Sequence, residues 1–151
     1  MKTIKYNGQE VEAYSLIMTK ANAMDILNGK NVIEARKLSS KYEKMFTNFK
    51  QLDENERLRK EGRENECQPI LRTEIEAIHF YSTGAPWFLD VAIDEIGIGE
   101  VTEEGIKFML EEFGFHEFDE QLEEFKKNPP EETPLFYYLH ICEIINHDGL
   151  K

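Results

Sequence analysis

The chain predicts a single domain of the α+β class, and three observations lead there. Its 151 residues fit one compact unit, at roughly 100–200 residues per domain. Its 40% hydrophobic and 11% aromatic content supports a real core and argues against disorder. Its elements run strand, helix, strand, helix, two or three strands, helices, strand, without the regular alternation of a doubly wound sheet. There is no internal repeat and no low-complexity segment.

Glu12 to Met18 is the first predicted strand, bounded upstream by the turn pair Asn7-Gly8. Thr19 caps a short helix, Lys20 to Leu27, with Ala21, Met24 and Leu27 at helical spacing. Asn28-Gly29 stops it, because Gly tolerates the left-handed cap conformation. Asn31 to Arg36 then alternates as a strand, with Ile33 and Ala35 to one side and Glu34 and Arg36 to the other. The carboxylate and the guanidinium therefore share a face. Leu38 to Phe49 predicts a helix capped by Ser39 or Ser40, with Tyr42, Met45, Phe46 and Phe49 on one side. Residues 51–68 form a charged insertion that first prolongs the helix and becomes an exposed loop around Gly62. Ile75 to Tyr81 and Trp87 to Ile96 predict a hairpin turned by Ser82-Thr83-Gly84-Ala85-Pro86, with Gly97 and Gly99 breaking the second strand. Thr102 opens a helix to Glu112 whose acidic first turn suits the helix dipole, and Gly114 ends it. Phe118 to Lys127 is the last helix, closed by Asn128-Pro129-Pro130. Leu135 to Ile145 is a long apolar strand, expected at the centre of a sheet.

The formal net charge is −12, which excludes coating of nucleic acid or of an anionic membrane by bulk charge. That charge is unevenly spread. Residues 1–75 balance at +2 and residues 76–151 at −14. The segment from Asn28 to Lys50 is locally positive, at +4. A phosphate-facing surface would start there, although charge runs of this kind are commonly solvated faces. Cys67 and Cys142 form no CxxC pair and no disulfide framework, and Cys142 sits in an apolar run where a buried thiol is expected. These features, with no signal-peptide h-region and no apolar run of the ~18 residues a membrane helix needs, predict a cytoplasmic protein without a membrane partner.

The strongest motif is Gly29-Lys30-Asn31-Val32-Ile33-Glu34-Ala35-Arg36, between a short helix and a strand. Together with Ala23-Met24-Asp25-Ile26-Leu27 before it and the closing strand from Pro134 to Ile141, it resembles the ASCH domain family of the PUA-like superfamily. That family's signature is Gly-x-Lys-x-x-Glu-x-Arg after the first helix, matched here by Gly29, Glu34 and Arg36. The likeness extends over most of the chain and implies one PUA-like small mixed β-barrel with flanking helices. It implies a cleft that binds RNA or a nucleotide, and in some members hydrolysis of an acylated cytidine or of RNA. The chain departs from the signature at Asn31, which stands where the family has its lysine, and from amidohydrolase members at Glu34, where they carry threonine. The catalytic candidates are then Lys30 and Glu34.

On the chemistry of the side chains alone, Arg36 offers a fork of donors to phosphate or a base edge, and Glu34 accepts from an exocyclic amine. The same two residues could instead form a structural ion pair that orients the first hairpin. Gly29, Asn31, Lys37, Lys41, Tyr81 and Ser82 complete the predicted ligand set, Tyr81 because unpaired bases stack on aromatic faces. Trp87 and Phe88 read as core. The four histidines have no metal-ligand spacing and no phosphate loop or nucleophile elbow is present, so no metal and no cofactor is expected. The acidic helices between Thr102 and Glu124 are a solvated surface. Alternatively they mimic a phosphate backbone and inhibit a basic nucleic-acid-processing protein, as small acidic phage proteins do.

Overall fold

The computed structural model describes residues 1–129 and 131–150. Pro130, the last residue of the predicted stop after the final helix, and Lys151 lie outside the described residues. The fold is α+β, as expected. Strand β1 (Lys2–Tyr6) precedes the first predicted strand, which is β2 (Gln9–Ile17). Asn7 and Gly8 between them both take positive φ, 52° and 77°, the geometry of a two-residue hairpin turn. After α1 (Lys20–Leu27) and β3 (Ile33–Lys37) come α2 (Ser40–Phe46) and α3 (Phe49–Lys60). Strands β4 (Ala77–Tyr81) and β5 (Phe88–Glu100) form the second hairpin. Helices α4 (Glu103–Phe113) and α5 (Asp119–Lys127) lead to β6 (Leu135–Asp148).

The six strands form one sheet in the order β1-β2-β4-β5-β6-β3. Only the β2–β4 pair is parallel. The sheet does not close into the expected barrel, because its edge strands β1 and β3 share no ladder among the described residues. It is curled, however: the Arg36 Nη2 of β3 donates to the Ile17 carbonyl at the end of β2, 2.8 Å away. A side chain, not a backbone ladder, ties the β3 edge back across the sheet. Strand β6 is interior but lies next to the edge strand β3 rather than at the sheet's centre.

Alternation along the strands creates two main cores. Leu16, Ile78, Phe80, Leu89, Tyr137 and Leu139 pack with Ala23 and Ile26 of α1 and Phe46 of α2. Phe136 and Tyr138 point the other way and pack with Ile33, Met109 and Phe115. Helices therefore cover both faces of the β6 end of the sheet. Trp87, 5% exposed, belongs to the first core as expected.

The structure departs from local expectation at three places, in β5, in the predicted helix over residues 38–49 and at Cys142. Gly97 and Gly99 do not break β5. They face Tyr138 and Phe136 across the ladder, and a Cβ at Gly97 would lie 2.2 Å from the Tyr138 ring. Glycine is used there so that aromatic rings of β6 can lie over the β5 backbone. Gly97→Ala should lower stability by about 1–3 kcal/mol, the usual cost of overpacking. A denaturant titration that leaves the midpoint unmoved would contradict this. The predicted helix from Leu38 to Phe49 is two helices, because residues 46–48 pair with residues 70–72: Asn48 N–H donates to the Ile70 carbonyl and Arg72 N–H to that of Phe46. Asn48 then caps α3 by accepting from Gln51 N–H at 3.1 Å. Beyond α3 the charged segment turns at Gly62 and returns under the clamp of Asn55, 2% exposed, whose amide holds both Gln68 N–H and Gln68 C=O. Finally Cys142 is exposed rather than buried, since its neighbour Ile141 takes the core-facing position of β6. Among the described residues no helix is long and apolar enough to cross a membrane.

Candidate functional site

The motif segment builds one wall of a cleft of about 340 Å³. Helix α1 begins with Thr19, whose hydroxyl accepts from Asn22 N–H, and it ends at Gly29, where φ is +75°. The chain reverses there, and both Lys30 N–H and Asn31 N–H donate to the Asp25 carbonyl, at 2.9 and 3.2 Å. This turn sets Lys30 and Asn31 on the same side, so both line the cleft. Strict strand alternation would have separated them, but β3 starts only at Ile33. Asn31 Oδ1 accepts from Ile33 N–H at 3.2 Å, closing the turn that feeds the strand. Asparagine at position 31 thus has a local structural reason: a longer cationic side chain such as lysine has no acceptor for that bond.

Glu34 lies at the bottom of the cleft with its side chain 12% exposed. Burial pushes its carboxyl up from 4.5 to about 7; the nearby Glu117 adds to the rise, and Arg36 opposes it. Arg36 Nε is 3.0 Å from Glu34 Oε1, yet the Nε–H does not point along that line, so the contact is an ion pair without a well-formed hydrogen bond. The other donors of Arg36 are engaged: Nη1 donates to the Tyr42 hydroxyl at 3.0 Å and Nη2 to Ile17 C=O. Its guanidinium also lies over the Tyr42 ring at 5.7 Å. Arg36 is thus spent on structure. It holds Glu34 and closes the curled sheet, and it does not line the cleft.

The opposite wall is the loop after α4. Gly114 takes the left-handed conformation that ends the helix, Phe115 plugs into the second core, and His116 and Glu117 face the cleft. Glu117, on the exposed rim, is also shifted up, by partial desolvation of its carboxyl and against the pull of Arg36. Asn22 and Asp25 of α1 complete the lining.

No family model, curated protein or solved structure matches the chain. The site is therefore read from its own geometry. Of the predicted residues, Lys30, Asn31 and Glu34 meet in the cleft, and Arg36 stands behind Glu34. Gly29 shapes the turn and does not line the cleft. Lys37 is exposed at the end of β3, and Lys41 places its ammonium over the Tyr42 ring at 5.5 Å, both outside the cleft lining. Tyr81 and Ser82 lie in a different cavity, at the β4–β5 turn. Sequence reasoning missed Asn22, His116 and Glu117. Among the described residues no cluster of His, Cys, Asp and Glu is arranged to hold a metal ion.

Chemically the cleft joins a carboxyl that titrates near neutrality to an amide with free N–H donors and a rim ammonium. A protonated Glu34 both donates and accepts, and an ionised one only accepts. Such a pair can read the mixed donor and acceptor edge of a planar amide or nucleobase.

Proposed function

We propose that the chain is an ASCH-like domain whose cleft binds an unpaired nucleobase, carried by RNA or by a nucleotide. The observation that carries this reading is Glu34, sunk in the cleft beside Asn31 and Lys30 with its carboxyl near neutrality. The relation to the ASCH family rests on Gly29, Glu34 and Arg36 and on the element order. The curled sheet, held along one seam by Arg36 rather than by a ladder, supports kinship with a PUA-like barrel opened on that seam. Lys30, exposed at the rim, supplies the charge for a phosphate. Arg36 acts through Glu34, as a positioning residue. The proton that Glu34 can gain or lose near pH 7 also favours a hydrolytic use of the site on a modified base, with Lys30 and Glu34 as the groups that would touch it.

Titration of the protein with cytidine monophosphate and with a hexameric single-stranded RNA, followed by amide chemical shifts, tests the proposal. Shifts should cluster at residues 22–34 and 114–117. Glu34→Gln should weaken mononucleotide binding by about tenfold, the effect of one hydrogen bond to a charged group. Release of acetate from acetylated cytidine by the native chain but not by Glu34→Gln would establish the hydrolytic use. A folded protein indifferent to every nucleotide would overturn the proposal. It would shift weight to the acidic helices α4 and α5, where Glu111, Glu112, Glu120, Glu123 and Glu124 are exposed and Phe108 of α4 is 51% exposed.

A further inference from the structure

The β4–β5 hairpin carries a second constellation that the cleft does not use. His79 on β4 and Asp90 on β5 sit opposite one another in the ladder. Their neighbours Ile78, Phe80, Leu89 and Val91 fill the main core, so alternation sends His79 and Asp90 to the other face of the sheet. A polar pair there would ordinarily be solvated. Instead both residues are buried, at 7% and 5% exposure, and His79 Nδ1 lies 2.5 Å from Asp90 Oδ1. An ionised carboxylate only accepts, so Nδ1 carries the proton that faces Asp90, and in the neutral ring Nε2 is then the acceptor. Nε2 has no hydrogen-bond partner among the described residues and is not sealed from solvent. His79 lines a wide, shallow surface cavity of about 430 Å³ together with Lys2, Tyr81, Ser82, Trp87 and Phe88.

The surroundings narrow the kind of ligand. The Tyr81 ring lies 5.9 Å from the imidazole and nearly parallel to it, at 18°, and the Phe88 ring lies 5.6 Å away at 30°. Lys2 holds its ammonium 5.4 Å from the Phe88 centroid. Aromatic surface, one oriented ring nitrogen and one nearby cation suit a planar heterocycle with an N–H donor and an attached phosphate. The strand end that carries Tyr81 is tied by its backbone to the start of the short helix that lines the cleft. Met18 N–H donates to the Tyr81 carbonyl, Thr19 then caps α1, and Asn22 and Asp25 of α1 line the cleft.

We propose that this cavity is a second base subsite, in which a neighbouring unpaired base of the same RNA strand stacks on the Tyr81 and Phe88 rings and donates its exocyclic amine to His79 Nε2, with Lys2 facing the phosphate. The proposal rests on the cleft being the first base site. Asp90 is a positioning residue, acting through the imidazole.

The experiment compares cytidine monophosphate with a hexameric cytidine RNA on the full chain, and follows the His79 ring nitrogens by long-range nitrogen–proton spectra. The hexamer should bind about tenfold or more tighter than the mononucleotide, as stacking of one further base provides. It should move the Nε2 resonance, while the mononucleotide moves only the cleft. His79→Gln and Lys2→Ala should remove the gain of the hexamer and leave mononucleotide binding unchanged. The Nε2 measurement needs no variant, so a His79→Gln chain that fails to fold leaves the test intact. A hexamer that binds no tighter than the mononucleotide, with Nε2 unmoved, overturns the second subsite alone. Failure of the mononucleotide and the hexamer alike to bind overturns the cleft reading and this one together.

Discussion

Arg36→Ala is expected to lower the stability of the fold by about 3–5 kcal/mol, the range for removing one partner of a buried ion pair. With a side chain 13% exposed, Arg36 is nearly sealed, and its truncation leaves three groups without their cation or donor. Glu34 loses the only charge that opposes the rise of its carboxyl. The Tyr42 hydroxyl and the Ile17 carbonyl lose their donors. The last loss matters most for the architecture, because that bond joins the β3 edge to the end of β2 where no ladder does. At about 2–4 °C per kcal/mol for a chain of this size, the melting temperature should fall by on the order of 10 °C. Two variants separate the contributions. Tyr42→Phe removes one hydrogen bond and should cost about 1 kcal/mol. Arg36→Lys keeps the charge but loses the fork, and should recover only part of the loss. A cost below about 1 kcal/mol for Arg36→Ala would mean that the guanidinium is not a structural tie and that its donors are free for a ligand.

The pairing of Glu34 with Arg36 was legible in the sequence because it follows from period two alone: residues two apart on a strand share a face whatever else the chain does. What Arg36 does with its remaining donors was not legible. They reach Ile17 and Tyr42 through the curl of the sheet and the packing of α2, which are tertiary facts. The shared side of Lys30 and Asn31 was hidden for a more local reason. The turn onto the Asp25 carbonyl suspends the alternation until Ile33, and nothing in residues 29–32 announces where the strand begins. His116 and Glu117 were legible only as part of an acidic, solvated run. Their place across from Glu34 is set by Phe115 plugging the second core, some eighty residues away in sequence. Gly97 and Gly99 show local propensity yielding to a partner strand. Read alone, they end a strand; opposite Phe136 and Tyr138, they continue one. Capping, in contrast, is local chemistry. Thr19, Thr102, Gly29 and Gly114 all do what their positions predict.

Glu34 should make the chain lose stability as pH rises from about 4.5 to about 7, relative to a chain with a neutral side chain at that position. Below 4.5 its carboxyl is protonated in both the folded and the unfolded chain, and the burial of a neutral acid adds no penalty that depends on pH. Between the two values the unfolded chain releases the proton while the folded chain keeps it. The folded state then binds more protons, so stability declines with pH, by at most about 1.4 kcal/mol per unit. Across this window the decline sums to roughly 3 kcal/mol, and above the folded value it levels off, with a buried carboxylate held against Arg36. Glu34→Gln is neutral throughout and lacks this decline. Urea titrations of both chains over pH 4–8 should therefore give a gap that opens in favour of the variant as pH rises. Any constant offset from Arg36 losing its partner leaves that slope untouched. Parallel curves would show that Glu34 ionises at its ordinary value and is not buried as described. The same titration decides how the cleft reads a ligand. A base edge that needs a donor from Glu34 binds tightest below pH 7 and loses affinity as the proton leaves. An exocyclic amine that gives its own hydrogen to Glu34 binds tighter as the carboxylate forms. Affinity for cytidine monophosphate that rises through neutrality, where the decline in stability of the free protein levels off, would tie both effects to one proton on one side chain.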